Sequence, residues 1–455
     1  MPGLRHRRAG RVAAIVFAAV FILFGAARAA PPVADAAGDL LAGDAGVRAG
    51  AIRALGDSGA QGAIAPLIQW LYWAPEKEQR EVVAALAALT GKRFESWFDW
   101  QVWEQEATGL DPFAGYDAWL ARVLGRIDPA FGRFVSAGIA HRIRLEEIVW
   151  GGVRVDGIPA LDRPATASAA QAAYLADDDL VFGIEIAGVT RAYPLRIVDW
   201  HEMVNDVVAG VPVSVAYCTL CGAAIAFDTR PNGGTAGRTF HFGSSGLLYR
   251  SNKLMYDRET DSLWNQFTGE PVLGALASSG VRLPIYPIVT TSWLSWRRLH
   301  PDTTVLAEST GFNRDYRPGA AYGAYFASSR LMFPAAVGDP AHQKEFAFGI
   351  RVPGGTKAWP LERFAGGRVI NDQVGLLNVV LVGDAADRTV RAYDAQDHRF
   401  EATAQPDRLH AADGVWQVTE QALVGPSGKS LRRLPGHVAY RFAWDGYFGA
   451  GVEAP

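Results

Sequence analysis

The stretch VAYCTLCGAAIAFD, from Val215 to Asp228, contains the only two cysteines in 455 residues. Apolar runs typical of strands flank the two thiols on both sides. This pattern predicts a hairpin with Cys218 and Cys221 at its tip. A glycine directly after the second cysteine is typical of a metal knuckle, in which Gly222 takes a positive φ and backbone N–H groups point at the sulfurs.

The neighbouring residues exclude two familiar uses of a Cys-x-x-Cys pair. A c-type haem site has His after the second Cys, where this chain has Gly222. A thioredoxin-like motif has its first Cys at the start of a helix, whereas AAIAFD predicts a strand. Three alternatives stay open: a metal site, a metal-free thiol–disulfide pair of the kind an oxidising compartment favours, and a pair without chemistry.

A metal site would need further ligands, because one Cys-x-x-Cys supplies only half of a tetrahedral set. His201, in DWHEMVND, precedes the turn that leads to the cysteine strand and is the leading candidate. The alternative is a buried histidine whose ring is satisfied by a backbone carbonyl. Thiolates with His or Met suit Cu, Zn or Fe without choosing among them. Further candidates for ligands or pocket residues are His241, Met203, Met255, Tyr256, Asp257, Arg258 and Trp264.

An internal repeat runs through the second two thirds of the chain. VFGIEIAGVTRAYPL begins at Val181, and AFGIRVPGGTKAWPL begins at Ala347. Over residues 182–228, 14 of the 47 positions are identical to the residue 166 positions later, without a gap. We interpret this as two copies of one sheet-rich unit.

Residues kept in both copies are expected to hold the fold. Gly183 and Gly349 suggest strand bulges, and Pro194 and Pro360 suggest strand ends. Asn205-Asp206 and Asn371-Asp372 suggest hairpin turns, as the Gly-flanked pair Ser244-Ser245 suggests a tight turn. Residues found in one copy only are better functional candidates: Cys218, Cys221 and His201 align with Asp384, Asp387 and Gly367. The segment 243–266, which follows the cysteine hairpin, also lacks a counterpart and is expected to form the rim of the site.

The N-terminus predicts export. Four arginines precede the apolar run VAAIVFAAVFILFGAA and the small-residue stretch Ala27-Arg28-Ala29, as in a cleaved signal peptide. Removal of residues 1–29 takes away five arginines and no acids, so the formal charge changes from −3 to −8. A mildly acidic chain without basic runs argues against nucleic acid as a partner. No second segment is apolar enough to span a membrane, and no nucleotide-binding motif is present.

Residues 36–108 predict paired helices similar to a HEAT-type repeat. Three helices are expected to end at Gly56–Gly59, before Pro75 and at Gly91, with Val47, Ile52 and Leu55 on one face of the first. Trp97, Trp100 and Trp103 follow at helical spacing, which indicates a helix that packs on the next domain. The same helices could instead dock a protein partner in the cell envelope.

Several long motifs occur in the order typical of one family. AYPLRIVDWHEMVND, VPVSVAYCTLCGAAIAFD, FGSSGLLYRSNKLMYDRETDSLWNQ and RRLHPDT together resemble a widespread prokaryotic family known as domain of unknown function number 3179. The resemblance covers Trp150 to the C-terminus, and SWFDWQVW is similar to the HEAT-like extension that some members carry. Cys218, Cys221 and His201 match the family's motif, but the resemblance implies no established activity.

The prediction is an exported α+β protein with one thiolate and histidine site that binds a metal or carries out metal-dependent redox chemistry. The predicted segments are a signal peptide at 1–29, helices at 36–108, a connecting segment at 109–149, a β-rich copy with the cysteines at 150–310 and a β-rich copy without them at 311–455.

Overall fold

The computed structural model describes residues 32–232 and 237–449. It is an α+β structure, with 27% of residues in helices and 32% in strands. The predicted signal peptide at 1–29 lies outside the described residues. Within the described ranges, no helix is long and apolar enough to cross a bilayer.

Helices dominate the first hundred described residues and connect strands later. The described α-helices are α1 (Val33–Asp39), α2 (Ala45–Asp57), α3 (Ile64–Trp73), α4 (Glu76–Thr90), α5 (Trp97–Glu106), α6 (Tyr116–Gly125), α7 (Leu195–His201), α8 (Trp293–Leu299), α9 (Gly323–Phe326) and α10 (Arg441–Phe448). Short 3₁₀-helices lie at Gln61–Ala63, Pro129–Arg133, Leu145–Glu147, Ala169–Gln171, Pro340–His342 and Leu361–Phe364.

The first β-rich region, residues 150–310 with the strand that leads into it, contains three five-stranded sheets, ordered β1-β9-β10-β11-β12, β13-β8-β7-β6-β2 and β14-β4-β5-β15-β3. Its strands are β1 (Ile148–Trp150), β2 (Leu161–Asp162), β3 (Thr166–Ser168), β4 (Leu180–Ile186), β5 (Val189–Pro194), β6 (Met203–Val208), β7 (Val211–Cys218), β8 (Ala223–Asp228), β9 (Phe242–Tyr249), β10 (Asn252–Asp257), β11 (Leu263–Asn265), β12 (Glu270–Leu273), β13 (Ile285–Tyr286), β14 (Val289–Ser292) and β15 (Thr304–Leu306).

The second β-rich region, residues 311–449, contains a three-stranded sheet, β17-β16-β26, and an eight-stranded sheet, β18-β19-β20-β25-β24-β23-β22-β21. Its strands are β16 (Phe346–Val352), β17 (Gly355–Pro360), β18 (Arg368–Val374), β19 (Leu377–Asp384), β20 (Thr389–Asp394), β21 (Glu401–Ala402), β22 (Arg408–Ala411), β23 (Gly414–Val418), β24 (Ala422–Val424), β25 (Ser430–Leu434) and β26 (Gly436–Tyr440).

The three helix ends predicted at Gly56–Gly59, before Pro75 and at Gly91 are confirmed. Helix α2 ends at Asp57, α3 ends at Trp73, and α4 ends at a left-handed Gly91. On the predicted apolar face of α2, Ile52 and Leu55 are buried, whereas Val47, in the first turn, is 43% exposed.

Helix α5 packs on both the helical and the β-rich parts of the molecule. Trp100 is fully buried, Trp97 stacks on Tyr72 of α3 with ring centroids 4.2 Å apart, and Trp97 also packs against a buried cluster that includes Leu248 of β9. At the end of the helix, the Gln105 side chain accepts a hydrogen bond from the Ala336 backbone N–H at 2.9 Å. The tryptophan face therefore makes its contacts within the chain.

The range 109–149, predicted as a connecting segment, contains a helix of its own. Helix α6 packs beside α1, and the Trp119 indole N–H donates to the Ala37 carbonyl at 2.7 Å. Its buried face includes Leu120 and Val123 and belongs to the same core as the earlier helices. The helical part of the chain thus continues beyond residue 108.

Two asparagine side chains, 166 residues apart, make the same pair of hydrogen bonds to the backbone of a neighbouring segment. Asn205, in β6, donates to the Phe242 carbonyl at 2.9 Å and accepts from the Phe242 N–H at 3.0 Å. Asn371, in β18, makes the same pair of bonds to Phe400, both at 2.8 Å. Each asparagine supplies a donor and an acceptor to a chain segment that runs past the edge of its strand. The predicted Asn-Asp turns were therefore wrong, because these side chains satisfy backbone groups from within strands.

Glycine at 183 and 349 has a packing role. A Cβ atom at Gly183 would lie 2.3 Å from the Trp296 ring, and one at Gly349 would lie 2.2 Å from the Trp444 ring. Both glycines sit in regular antiparallel pairing, opposite Ala192 and Ala358. The predicted bulges were wrong, because the missing side chain makes room for an indole that lies flat on the strand. The strand ends predicted at Pro194 and Pro360 are confirmed.

The tight turn predicted at the Gly-flanked pair Ser244-Ser245 was also wrong. Both serines lie inside β9, and the Ser245 hydroxyl donates to the Leu254 carbonyl of β10 at 2.5 Å. The chain reverses only later, at Arg250 and Ser251, which take φ angles of 50° and 60°. Serine hydroxyls can satisfy backbone groups within a strand pair, so a polar pair beside glycine does not by itself mark a turn.

The two tryptophan contacts predict a sharp penalty for added volume. Gly183→Ala and Gly349→Ala are each expected to lower the free energy of unfolding by about 1–3 kcal/mol, because the methyl group would overlap a buried indole. Gly50→Ala in helix α2 is the matched control, since a Cβ there meets nothing within 4 Å. Urea unfolding of the three variants measures the difference. Equal stability of all three would contradict this account of the glycines.

Candidate active site

The two thiols lie at the tip of a hairpin, as the sequence predicts. Strand β7 ends at Cys218, and β8 begins two residues after Cys221. The backbone N–H of Cys221 donates to the Cys218 carbonyl at 3.1 Å, so the tip is a closed turn. Both cysteines are free thiols and are almost completely buried, with 1% and 0% of their surface exposed.

Gly222 fixes the shape of the turn. Its φ is +61°, which confirms the predicted positive φ, and a side chain is strained in this backbone conformation. A Cβ atom there would also lie 2.7 Å from the Phe346 ring of the second β-rich region. The turn therefore requires glycine both for its backbone angle and for the aromatic ring that covers it.

The second β-rich region holds the turn in place through backbone groups. The Tyr440 N–H donates to the Cys221 carbonyl at 2.8 Å. The Tyr325 hydroxyl donates to the Leu220 carbonyl at 2.7 Å. Because both carbonyls are buried, these bonds satisfy groups that would otherwise destabilise the fold. The thiols thus lie where the two regions meet.

A second hairpin tip faces the thiols from the segment that has no counterpart in the repeat. The turn between β9 and β10 passes through Arg250 and Ser251, both left-handed. The Cys221 sulfur lies 3.6 Å from the Ser251 carbonyl oxygen. A two-residue hairpin turn commonly requires a positive φ at both of its central positions, which is the conformation found here.

A chain of side-chain amides connects the hairpin strands to the thiols. Gln266 donates to the carbonyls of Ala216 and Ala223 at 2.9 and 3.1 Å, one on each strand of the cysteine hairpin. Its own carbonyl accepts from the Asn252 amide at 2.8 Å. The same Asn252 amide lies 3.2 Å from the Cys221 sulfur and donates to it. These contacts fix the position of Cys221.

The two sulfurs differ in their ionisation although they lie only 2.7 Å apart. Burial by itself disfavours the Cys218 thiolate, but hydrogen bonds from the Cys221 thiol and the Lys253 backbone N–H outweigh it and lower the pKa of Cys218. Burial raises the pKa of Cys221 well above its usual value, and the hydrogen bond to Cys218 raises it further. Cys218 is therefore the thiol that loses its proton first.

Cys218 also lines a small cavity that Cys221 does not reach. Tyr322, Met332 and Phe333, from the part of the second β-rich region that precedes its first strand, line the cavity. Strands β9 and β10, within segment 243–266, also contribute to its lining. The full lining consists of Gly151, Val153, Ile158, Glu202, Cys218, Leu220, Ser244, Gly246, Leu247, Leu248, Lys253, Leu254, Tyr322, Met332 and Phe333.

One ion pair stands in this otherwise largely apolar cavity. The Lys253 ammonium lies 2.8 Å from a Glu202 carboxylate oxygen, and the two side chains are only 5% and 10% exposed. Glu202 adopts a φ of +53° as the residue that ends helix α7. Lys253 thus influences the site through two groups: its backbone N–H helps to lower the pKa of Cys218, and its ammonium pairs with Glu202.

His201, the leading candidate ligand, has both ring nitrogens engaged away from the cysteines. Nδ1 bonds the Pro159 carbonyl at 2.8 Å, and Nε2 bonds the Tyr316 hydroxyl at 2.6 Å. Burial lowers the pKa of the ring, although the bond to the Pro159 carbonyl opposes this, so the neutral form is favoured. Tyr316 lines a separate surface cavity beside Phe312 and Arg314.

The other candidate residues also lie outside the lining of the Cys218 cavity. Met203, Met255 and Trp264 belong to one buried cluster around Phe240 and Phe242. His241 is paired with Glu259 near the surface at 2.8 Å. Tyr256 donates to Asp156, Asp257 accepts from the Trp264 indole, and Arg258 pairs with Asp162. Within residues 32–232 and 237–449, no group of three or more His, Cys, Asp or Glu side chains is placed to hold a metal ion.

Sequence reasoning missed Glu202, Asn252 and Lys253, although a usable signal was present. Glu202 follows His201 directly and aligns with Arg368 in the repeat. Asn252 and Lys253 lie in the segment without a counterpart. All three residues therefore differ between the two copies of the repeat, as the cysteines do.

The chain belongs to the family described as protein of unknown function (DUF3179), whose family model matches residues 155–451. This range contains both cysteines, the ion pair and the second β-rich region. No curated protein and no solved structure matches the chain. The chemistry of the site must therefore be argued from its own residues.

The asymmetry of the two thiols predicts an order of modification. In the fully reduced native protein, iodoacetamide is expected to label Cys218 before Cys221, because Cys218 ionises more easily and lines the cavity. Cys218→Ser and Cys221→Ser form a matched pair, each with one thiol. Timed labelling followed by peptide mass mapping checks the order. Equal rates for the two single-thiol variants, or faster labelling of Cys221, would contradict it.

Proposed function

We propose that this protein is a thiol–disulfide redox protein whose reactive centre is the dithiol of Cys218 and Cys221. The observation that carries the proposal is the pairing of two buried sulfurs 2.7 Å apart, of which one has a lowered pKa and lines a cavity and the other has a raised pKa and lies behind it. This is the division of labour that exchange needs, with one attacking thiolate and one thiol held in reserve.

The reaction is an exchange with an external disulfide. The Cys218 thiolate attacks one sulfur of that disulfide, a mixed disulfide forms, and the other sulfur leaves as a thiolate that takes up a proton. Cys221 then loses its proton and attacks the Cys218 sulfur, which closes the internal disulfide and releases the second external thiol. In total, the protein loses two hydrogen atoms and the external disulfide gains them. The reverse sequence oxidises an external dithiol.

Neighbouring groups support each step. The Lys253 N–H hydrogen-bonds Cys218 and favours its thiolate. The Asn252 amide donates to the Cys221 sulfur and favours its ionisation once the mixed disulfide has formed. The hydrogen bonds from Tyr440 and Tyr325 to the backbone of the turn keep it in place. The attack of Cys221 on the Cys218 sulfur is therefore intramolecular and needs little rearrangement.

A metal-binding function is the second candidate, and the geometry of the turn favours it. Gly222 has the positive φ of a metal knuckle, and the backbone N–H groups of Lys253 and Cys221 help to lower the pKa of Cys218. Two thiolates suit a soft or borderline metal such as Cu, Zn or Fe. His201 would have to give up its bonds to Pro159 and Tyr316 in order to serve as a further ligand.

We further propose that the protein is exported and that its two β-rich regions are copies of one unit. The arginine-rich start and apolar run support export, and an oxidising compartment suits a disulfide. Identical residues at positions 166 apart, aligned without a gap, support duplication. The matching hydrogen bonds of Asn205 and Asn371 and the matching glycine–tryptophan contacts support it as well. In this proposal the second copy lost the thiols and became the clamp on the first. A HEAT-like origin for the helices fits the packing of α4 against both α2 and α3.

One experiment separates the two candidate functions. The mature chain, exported to an oxidising compartment and purified without reductant, is expected to show no free thiol and the mass of an internal disulfide, which is two hydrogen atoms less than after reduction. Reduction should expose both thiols and reoxidation by oxidised glutathione should hide them again. Thiol titration and intact mass measure both states.

Elemental analysis of the same samples tests the metal-binding function. Near one equivalent of a single metal, retained through purification and lost in Cys218→Ser, would contradict the redox function and establish the metal function. Asp387→Ala, at the matching position of the second β-rich region, is the control and should change neither the thiol count nor the metal content.

A further inference from the structure

The ion pair of Glu202 and Lys253 lies beside Cys218 but takes no part in the exchange described above. The side chains are 10% and 5% exposed, and their charged atoms lie 2.8 Å apart. Both residues line the cavity that Cys218 faces. A buried ion pair contributes little to net stability and often less than an apolar pair of the same volume, so its presence in a cavity calls for another reason.

Lys253 lies beside Cys218 in the same cavity. Its backbone N–H favours the Cys218 thiolate and thereby helps to lower the pKa of this thiol. The Lys253 side chain ends at Glu202, whose backbone carbonyl accepts from the Tyr217 N–H at 2.7 Å, one residue before the thiol. The pair therefore links the two backbone segments that flank Cys218.

Other titratable groups surround the Cys218 thiol and can influence its ionisation. Asp199, on α7, is buried, and burial followed by the Glu202 charge raises its pKa well above the usual range, so it is held neutral. Glu202 and Lys253 are the only Asp, Glu, Lys or Arg residues in the described lining of the cavity. The titratable groups that face Cys218 from the surrounding elements are Asp199, Glu202, Tyr217, Cys221, Lys253, Tyr322, Tyr325 and Tyr447.

We propose that the charges of Glu202 and Lys253 act on the Cys218 thiol in opposite directions, and that the balance between them sets the ionisation of this thiol and thereby the reduction potential of the dithiol. This inference rests on the proposed redox function. Both members are positioning residues, because they act through Cys218. The carboxylate opposes a second negative charge at the sulfur, while the ammonium favours it, and together they leave the cavity with no net charge.

The two charges predict shifts of opposite sign. Lys253→Met leaves the Glu202 carboxylate alone, which disfavours the Cys218 thiolate and raises the pH at which the thiol ionises. Glu202→Gln leaves the ammonium alone, which favours the thiolate and lowers that pH. A shift of about one pH unit is expected for each, and the double variant is expected to stay near the parent. A purely structural role would not produce opposite signs.

The experiment is a pH profile of iodoacetamide labelling in the Cys221→Ser background, where Cys218 is the only thiol. The parent is compared with Lys253→Met, Glu202→Gln and the double variant, and circular dichroism confirms that each is folded. If Lys253→Met fails to fold, Lys253→Gln replaces it, since it keeps a polar group in the cavity and should give the same shift. Glu420→Gln is the control, because its buried carboxylate pairs with Arg433 in the second β-rich region.

The reduction potential, measured with both cysteines present, is the second readout. A more stable thiolate makes the disulfide easier to reduce, so Glu202→Gln should raise the potential and Lys253→Met should lower it. Unmoved midpoints, or shifts of the same sign in both variants, would overturn the inference while the dithiol function stands. If the wild type forms no reversible disulfide, the dithiol function itself is contradicted.

Discussion

The hydrogen bond from the Tyr440 N–H to the Cys221 carbonyl is the contact on which the site depends. A hairpin tip is normally the most exposed and mobile part of a sheet, but here it is enclosed by a second region of the chain. The Phe346 ring lies against Gly222, and Tyr325 bonds the Leu220 carbonyl. Burial of this turn gives the two thiols a low-dielectric environment in which small changes in charge have large effects on ionisation.

Burial of the turn also explains why the two thiols differ in pKa. In water, two neighbouring cysteines would ionise almost alike. At this tip, Cys218 receives the Lys253 N–H and lines a cavity, whereas Cys221 lies behind it against Asn252 and the Ser251 carbonyl. The first negative charge raises the pKa of the second thiol, so the dithiol carries one charge at most under ordinary conditions. An asymmetric dithiol of this kind has a defined direction of attack.

The sequence was most informative where a local pattern determines a local structure. The cysteine hairpin, the positive φ of Gly222 and the helix ends at Asp57, Trp73 and Gly91 follow from turn and capping preferences, and the family membership follows from motif order. The predictions for Gly183, Asn205 and Ser244 failed because these residues serve long-range contacts, with Trp296, Phe242 and the neighbouring strand β10. The same composition can mark a turn or a contact, and only the fold decides between them.

The candidate site shows the same limit. His201 and Glu202 are adjacent, but the helix end at Glu202 turns the histidine toward Pro159 and the glutamate toward the cavity. No local pattern distinguishes these two directions. Lys253 arrives from a strand that is 35 residues after Cys218, and its contact with Glu202 depends on how two hairpins pack. The turn that carries the two cysteines was therefore predictable from the sequence, but its electrostatic surroundings were not.

The reduction potential of the Cys218–Cys221 pair tests the central claim most directly. The wild-type mature chain would be equilibrated in glutathione buffers of graded ratio, quenched with acid and analysed by the mass of the alkylated peptide that contains both cysteines. A dithiol that exchanges electrons is predicted to titrate reversibly at a potential above about −300 mV, in the range of redox-active disulfides. A pair that stays fully reduced across the series, or a disulfide that resists reduction well below that value, would contradict the account.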